Sequence, residues 1–147
     1  MADEKNFTPS WHIRSAGLNH APAYQVSGIP FASGSINCLA GPNRIDFPSV
    51  TRWVMVINND TAGGREVKVG FSERGITESD APYFFLVPNR GGAPGLYPNS
   101  GRLELKVTEL WIQGSSNVDI VAGLTTISKD KVTTETGTSW SGSIGVG

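Results

Sequence analysis

The sequence predicts an all-β protein, a sandwich or barrel built of short strands, flanked by irregular N- and C-terminal arms. Three observations carry this. No window places apolar residues at i, i+3, i+4 and i+7 over three turns, so helical patterning is nearly absent. Short runs of β-branched and aromatic residues recur instead, with Gly, Pro and Asn between them. Within several runs polar and apolar residues alternate, as a half-buried strand requires.

Taken in order, Tyr24–Ser27 and Gly34–Leu39 are the first expected strands, broken by Gly28-Ile29-Pro30. Ala40-Gly41-Pro42-Asn43 is a turn and Pro48-Ser49 a corner. Val50–Asn58 is the densest strand, with Trp53, Met55 and Ile57 on one face and Arg52, Val54 and Val56 on the other. Both faces are largely apolar, so it is expected at the centre and covered on two sides. Glu66–Ser72 alternates with Val67, Val69 and Phe71 inward, and a Gly-rich connection makes it a hairpin partner of Val50–Asn58. Tyr83–Val87 is a short strand bounded by Pro82 and Pro88, and 89–100 is a long surface loop. In LELKVTELWI the alternation slips phase near Thr108-Glu109, which predicts a β-bulge. Gly114-Ser115-Ser116-Asn117 then turns the chain into Val118–Leu124, giving a last hairpin. Gly123 inside that strand predicts a bend or the close approach of another backbone.

These elements divide the chain into an N-terminal arm (1–23), a sandwich core (24–127) and a Gly/Ser/Thr-rich C-terminal arm (128–147). Twelve of the last twenty residues are Gly, Ser or Thr. With 147 residues the chain is long enough to bury a core without a disulfide or metal staple. Cys38 is the only cysteine, which removes internal disulfides and Cys-based zinc sites, and it is expected as a small buried hydrophobe in a strand. The net charge is −1 with no Lys/Arg cluster, so no direct nucleic-acid partner is expected. No apolar run approaches membrane-spanning length, and MADEKNFTPSW does not read as a secretory signal, so a cytosolic origin is expected.

Catalytic chemistry is not expected. His12 and His20 fall in the irregular N-terminal segment, where nothing holds a base in place. Glu78/Asp80 and Glu104/Glu109 read as solvated faces and loop caps, GITESD lacks the EF-hand pattern, and GGREVKVG and RGGAPG match no phosphate-binding loop. No enzyme activity, metal or cofactor is therefore expected. The aromatic residues carry more weight. Trp53 and Trp111 read as core, whereas Phe7, Trp11, Tyr97 and Trp140, with Ile144 and Val146, are the expected partner-interface residues.

The segments FPSVTRWVMVINND, REVKVGFSERG, YFFLVPN and LELKVTELWIQGSSNVDIVAGLTTI resemble small virion structural proteins of tailed bacteriophages and large marine or algal viruses. The resemblance covers roughly residues 31–127 and leaves both arms outside it. It implies a single antiparallel β-sandwich, jelly-roll-like in arrangement, that decorates, cements or bridges capsid subunits, as a decoration, cement or minor capsid protein, and it carries over no active site. The partners it implies are the major capsid protein or other virion subunits, with a homo-oligomer, such as a trimer, as the assembled form. The location implied is the virion, assembled in the host cytoplasm. The alternative reading is a carbohydrate-binding or host-attachment module that uses Tyr97 and the 89–100 loop.

Overall fold

A computed structural model describes residues 18, 21–22, 28–78, 80, 82–132, 134, 137 and 139–147. Seven strands run in chain order as β1 (Ile29–Ile36), β2 (Asn43–Asp46), β3 (Thr51–Asn58), β4 (Val67–Gly70), β5 (Phe84–Val87), β6 (Glu109–Gln113) and β7 (Val118–Leu124). One helical turn, α1 (Glu73–Thr77), separates β4 from β5. The strands form two antiparallel sheets packed as a β-sandwich: a front sheet ordered β1-β7-β3 and a back sheet ordered β2-β6-β4-β5.

A fourth, irregular strand completes the front sheet. Residues 98–107 run antiparallel along the open side of β3, with bridges from Ile57 to Asn99 and from Val54 to Leu103. Backbone hydrogen bonds hold it there, including Val54 N to Leu103 O at 2.9 Å and Thr51 N to Val107 O at 3.0 Å. The pairing then follows a simple rule. Ile29 faces Leu124, Asn43 faces Ile112, Val54 faces Leu103 and Val67 faces Val87. This is one long hairpin with its tip at α1, rolled so that successive pairs alternate between sheets, which is the connectivity of a jelly roll.

Burial follows strand alternation. Val54, Val56, Val67, Val69, Leu110, Ile112, Val118 and Ile120 project between the sheets and are fully buried. Each such side chain contributes about 1.5–3 kcal/mol relative to exposure. Phe47, at the corner after β2, is also fully buried and meets Phe31 edge-to-face at 5.0 Å between centroids. A smaller cluster of Val50, Ile127 and Val132 extends the core at one end, with Leu18 and Trp140 packed against it.

Several expected connections are corrected by this topology. β3 and β4 lie in different sheets, so the Gly-rich segment between them crosses the sandwich and does not close a hairpin. The same holds for β6 and β7, joined by Gly114-Ser115-Ser116-Asn117. The phase slip at Thr108-Glu109 is no bulge between paired strands. It is the point where the chain leaves the front sheet beside β3 and enters the back sheet as β6, so Val107, Thr108, Glu109 and Leu110 are buried in succession. Register irregularities occur elsewhere, between Ser33 and Ile36 and between Thr51 and Trp53. The expected break at Ile29-Pro30 opens β1, an edge strand that tolerates proline, and Tyr24–Ser27 falls outside the described residues. β1 ends at Ile36, so Cys38 is buried just beyond a strand and not inside one. α1 was not anticipated; its start is capped by Ser72, whose Oγ accepts from Gly75 N at 2.9 Å.

β3 is flanked on both sides, by β7 and by residues 98–107, while its outer face (Trp53, Met55, Ile57) is half-buried. The close approach expected at Gly123 is present. A Cβ at Gly28 would lie 2.8 Å from Gly123 Cα, and a Cβ at Gly123 would lie 2.3 Å from Trp53 Nε1. Gly123 thus admits a backbone on one side and an indole on the other. The substitution Gly123→Ala is expected to displace the Trp53 ring and cost about 1–3 kcal/mol by overpacking. Urea denaturation followed by Trp fluorescence measures this; an unchanged midpoint would show that the contact is dispensable.

Candidate interaction surface

The jelly-roll connectivity gathers four connections at one end of the sandwich: 37–42, 59–66, 88–97 and 114–117. Their backbones must be satisfied without a ladder, and a buried polar network does this. Asn58, at the end of β3, donates from Nδ2 to Arg65 O at 2.9 Å and Val87 O at 3.2 Å. Its Oδ1 accepts from Ser115 Oγ at 2.7 Å and from Asp60 N at 3.2 Å. Asp60 accepts from Ser116 N at 2.8 Å, Ser116 Oγ at 2.7 Å and Ala62 N at 2.9 Å. Arg65 Nη1 stands 3.5 Å from its Oδ2. The hydrogen bonds from Ser116 and then Ala62 push the Asp60 carboxyl well below the usual carboxylate range, against the cost of burial.

This knot holds the protruding loop after β5. Arg90 N donates to Asp60 O at 2.9 Å, Asn89 Nδ2 donates to Ala62 O, and Gly91 lies so close to Thr61 that a Cβ there would sit 2.2 Å from its carbonyl oxygen. The loop is therefore tied at its base, while residues 90–97 are exposed throughout. At its far limb Leu96 is 53% and Tyr97 79% exposed.

The opposite end is closed by the C-terminal segment. Val132 is buried, and Trp140 packs against both apolar clusters while its Nε1 donates to Lys106 O at 3.2 Å. Ser72 Oγ donates to Val146 O at 2.9 Å, and Gly147 lies against Gly75 and Tyr83. Residues 128–147, expected as an arm beginning where the fold ends, are thus packed on the core at these described points. A groove of about 290 Å³ between Phe71, Leu105, Val107, Trp140 and Val146 remains at this end. A second of similar size lies between Arg74, Glu78, Tyr83, Ser143, Ile144 and Gly147.

Of the expected interface residues, Tyr97 and Ile144 are the exposed ones, Ile144 fully so. Trp140 and Val146 are half-buried and line the first groove. Phe7 and Trp11 lie outside the described residues, as do His12 and His20. The sequence reading passed over Tyr83, Leu86 and Leu96, which are 39%, 50% and 53% exposed, and also Ile29 and Leu39, which are exposed at the start of β1 and just beyond its end. Tyr83, Leu86, Leu96, Tyr97 and Ile144 all border one side of the sandwich, the β5 edge. Pro82 and Pro88, which bound β5 on an outer position, were the signal available for this edge.

The other candidate groups are accounted for by structural contacts. Glu109 is buried and accepts from Arg44 Nε at 2.6 Å and Ser139 Oγ at 2.6 Å, and Glu104 pairs with Arg102 at 2.7 Å. The Cys38 thiol is pushed up by burial and donates to Ser115 O at 3.3 Å. Among the described residues no three His, Cys, Asp or Glu side chains are grouped to hold a metal, and no helix is long and apolar enough to cross a membrane. No family model, curated protein or solved structure matches the chain.

Because the Asp60 carboxyl is depressed on folding, its contribution is present above the ordinary carboxylate range and is lost as pH falls towards its folded value. Asp60→Asn is expected to lower stability at pH 7 by about 1.5–3 kcal/mol. It should also flatten the acid limb of the stability curve. Thermal melts of both proteins from pH 7 to pH 2 test this; parallel acid limbs would rule out Asp60 as the titrating group.

Proposed function

We propose that this protein is a non-enzymatic virion structural protein that decorates, cements or bridges capsid subunits, docking through the β5 side of its sandwich. The observation that carries the reading is that five of the seven exposed large hydrophobic side chains among the described residues are Tyr83, Leu86, Leu96, Tyr97 and Ile144, with Leu96 and Tyr97 on a loop whose base is locked by the Asn58–Asp60 network. Exposed aromatic and aliphatic groups on a pre-ordered frame favour protein docking, since little entropy is lost on contact. Jelly-roll sandwiches recur in viral capsid and lectin domains, which supports the reading as analogy of fold. The segment resemblance across residues 31–127 supports it further. Many copies on a symmetric shell would multiply a modest contact into firm attachment.

The 79% exposure of Tyr97 favours a second reading, a carbohydrate-binding or host-attachment module that stacks a sugar on the phenol ring. The two readings part experimentally. Gradient-purified particles are expected to carry the chain in fixed ratio to the major capsid protein. The double substitution Leu96→Ala/Tyr97→Ala should reduce its occupancy at least tenfold while the fold persists by circular dichroism. Full occupancy of the variant would remove the loop from the interface. A glycan-array signal lost in Tyr97→Ala, without particle association, would favour the second reading.

A further inference from the structure

The groove of about 290 Å³ between Phe71, Leu105, Lys106, Val107, Trp140 and Val146 has apolar walls, and the polar tips of its two mixed side chains are already bonded. The Trp140 indole donates to Lys106 O at 3.2 Å, and Lys106 Nζ donates to Leu18 O at 2.9 Å. Such a recess gains by taking up an apolar side chain and offers little to a polar ligand. It is also at the small end of ligand pockets, which run from about 300 to 1,000 Å³, so it suits one or two side chains.

The position of Leu18 selects what fills it. Leu18 and Trp140 pack against the same cluster of Val50, Ile127 and Val132. The Leu18 carbonyl holds Lys106, so the chain at this point stands beside two residues of the groove wall. Seventeen residues precede Leu18 in the sequence and lie outside the described residues. Within them Trp11-His12-Ile13-Arg14 alternates apolar and polar residues, the pattern of an extended segment with one covered face. Ile13 and Trp11 stand five and seven residues before Leu18. At about 3.3–3.6 Å per extended residue, both reach a groove that begins beside Leu18.

We propose that residues 11–17 run back from Leu18 as a strap across this groove, with the Trp11 ring seated in it and Ile13 beside it on the same face. His12 and Arg14 then point to solvent. A Trp side chain buries about 150–250 Å², which makes Trp11 the principal anchor. The occupant is the chain's own segment because a short tether holds it at an effective concentration in the millimolar range, which a separate copy or partner does not match. Phe7 is four residues further along the tether than Trp11 and is correspondingly less favoured. The strap is independent of the docking reading: it is measured on the purified chain, and neither result decides the other.

The test is nuclear magnetic resonance of the full, isotope-labelled chain. The expected result is cross-relaxation between the Trp11 indole protons and the methyl groups of Val107 and Val146, unchanged on dilution. A mixture of labelled and unlabelled copies, filtered for contacts between the two, should show none at these positions. Trp11→Ala should shift the Val107 and Val146 signals and speed trypsin cleavage after Arg14 at least tenfold. Three results overturn the proposal: no contact from Trp11 to either methyl-bearing residue, contacts between labelled and unlabelled copies, which would assign the groove to a second copy, or equal cleavage rates in the two proteins. The contact measurements use the unaltered chain, so they decide the question even if the variant folds poorly.

Discussion

The buried hydrogen bonds of Asn58 and Asp60 are the constraint on which one whole end of this protein depends. Four connections meet there, and none of them can use a strand ladder. A buried polar group without a partner costs about 1–3 kcal/mol, so the loops must close on partners with matching geometry. The Asn58 side chain spans the two sheets, from β3 in the front to the carbonyl of Val87 at the end of β5 in the back, and also binds Ser115 between β6 and β7. Asp60 then fixes Ser116 and the base of the 88–97 loop. A change at either residue would be felt in segments far apart in sequence.

The other end is closed by apolar packing. Val132 and Trp140, from the segment richest in Gly, Ser and Thr, seal the gap between the sheets, and Val146 docks against the cap of α1. Polar closure at the loop end and apolar closure at the other leave the long sides of the sandwich to differ. The β1, β2 and 98–107 edges carry proline, charge or irregular backbone, and β5 is a four-residue strand bounded by Pro82 and Pro88. The same roll that builds the core places β5 at the margin of its sheet, because α1 is the tip of the long hairpin.

The reading as an assembly subunit and the reading as a sugar-binding module share this frame. Both need a firm mount for exposed side chains, and both would use the loop that Asn89 and Asp60 tether. They differ in what covers Leu86 and Ile144. A sugar on Tyr97 leaves those residues bare, while a protein partner on the β5 side buries them together.

Strands β3, β4, β5 and β7 were legible from the sequence, because alternation is a local property, whereas β2 was read as turn and corner and Ile29-Pro30 was read as a break where β1 begins. Val54 and Val56, Val67 and Val69, Leu110 and Ile112, and Val118 and Ile120 each point inward as their spacing of two requires. Gly123 was legible as a close approach for the same reason, since a glycine inside a strand signals a missing side chain. The partner of each strand was not legible. Local reading pairs neighbours in sequence, so β3 with β4 and β6 with β7 looked like hairpins. In a jelly roll the pairing energy comes from residues far apart, such as Ile29 with Leu124, and only the folded chain brings them together. The phase slip at Thr108-Glu109 was visible, but its cause was a change of sheet that a linear pattern cannot distinguish from a bulge. Trp140 was read as an interface residue and Val132 was passed over, because isolated apolar residues carry no periodicity that places them in the core. Composition and alternation alone determined that this chain is all-β. Long-range packing decided that the strands form two sheets, which strands are neighbours, and which aromatic side chains stay exposed.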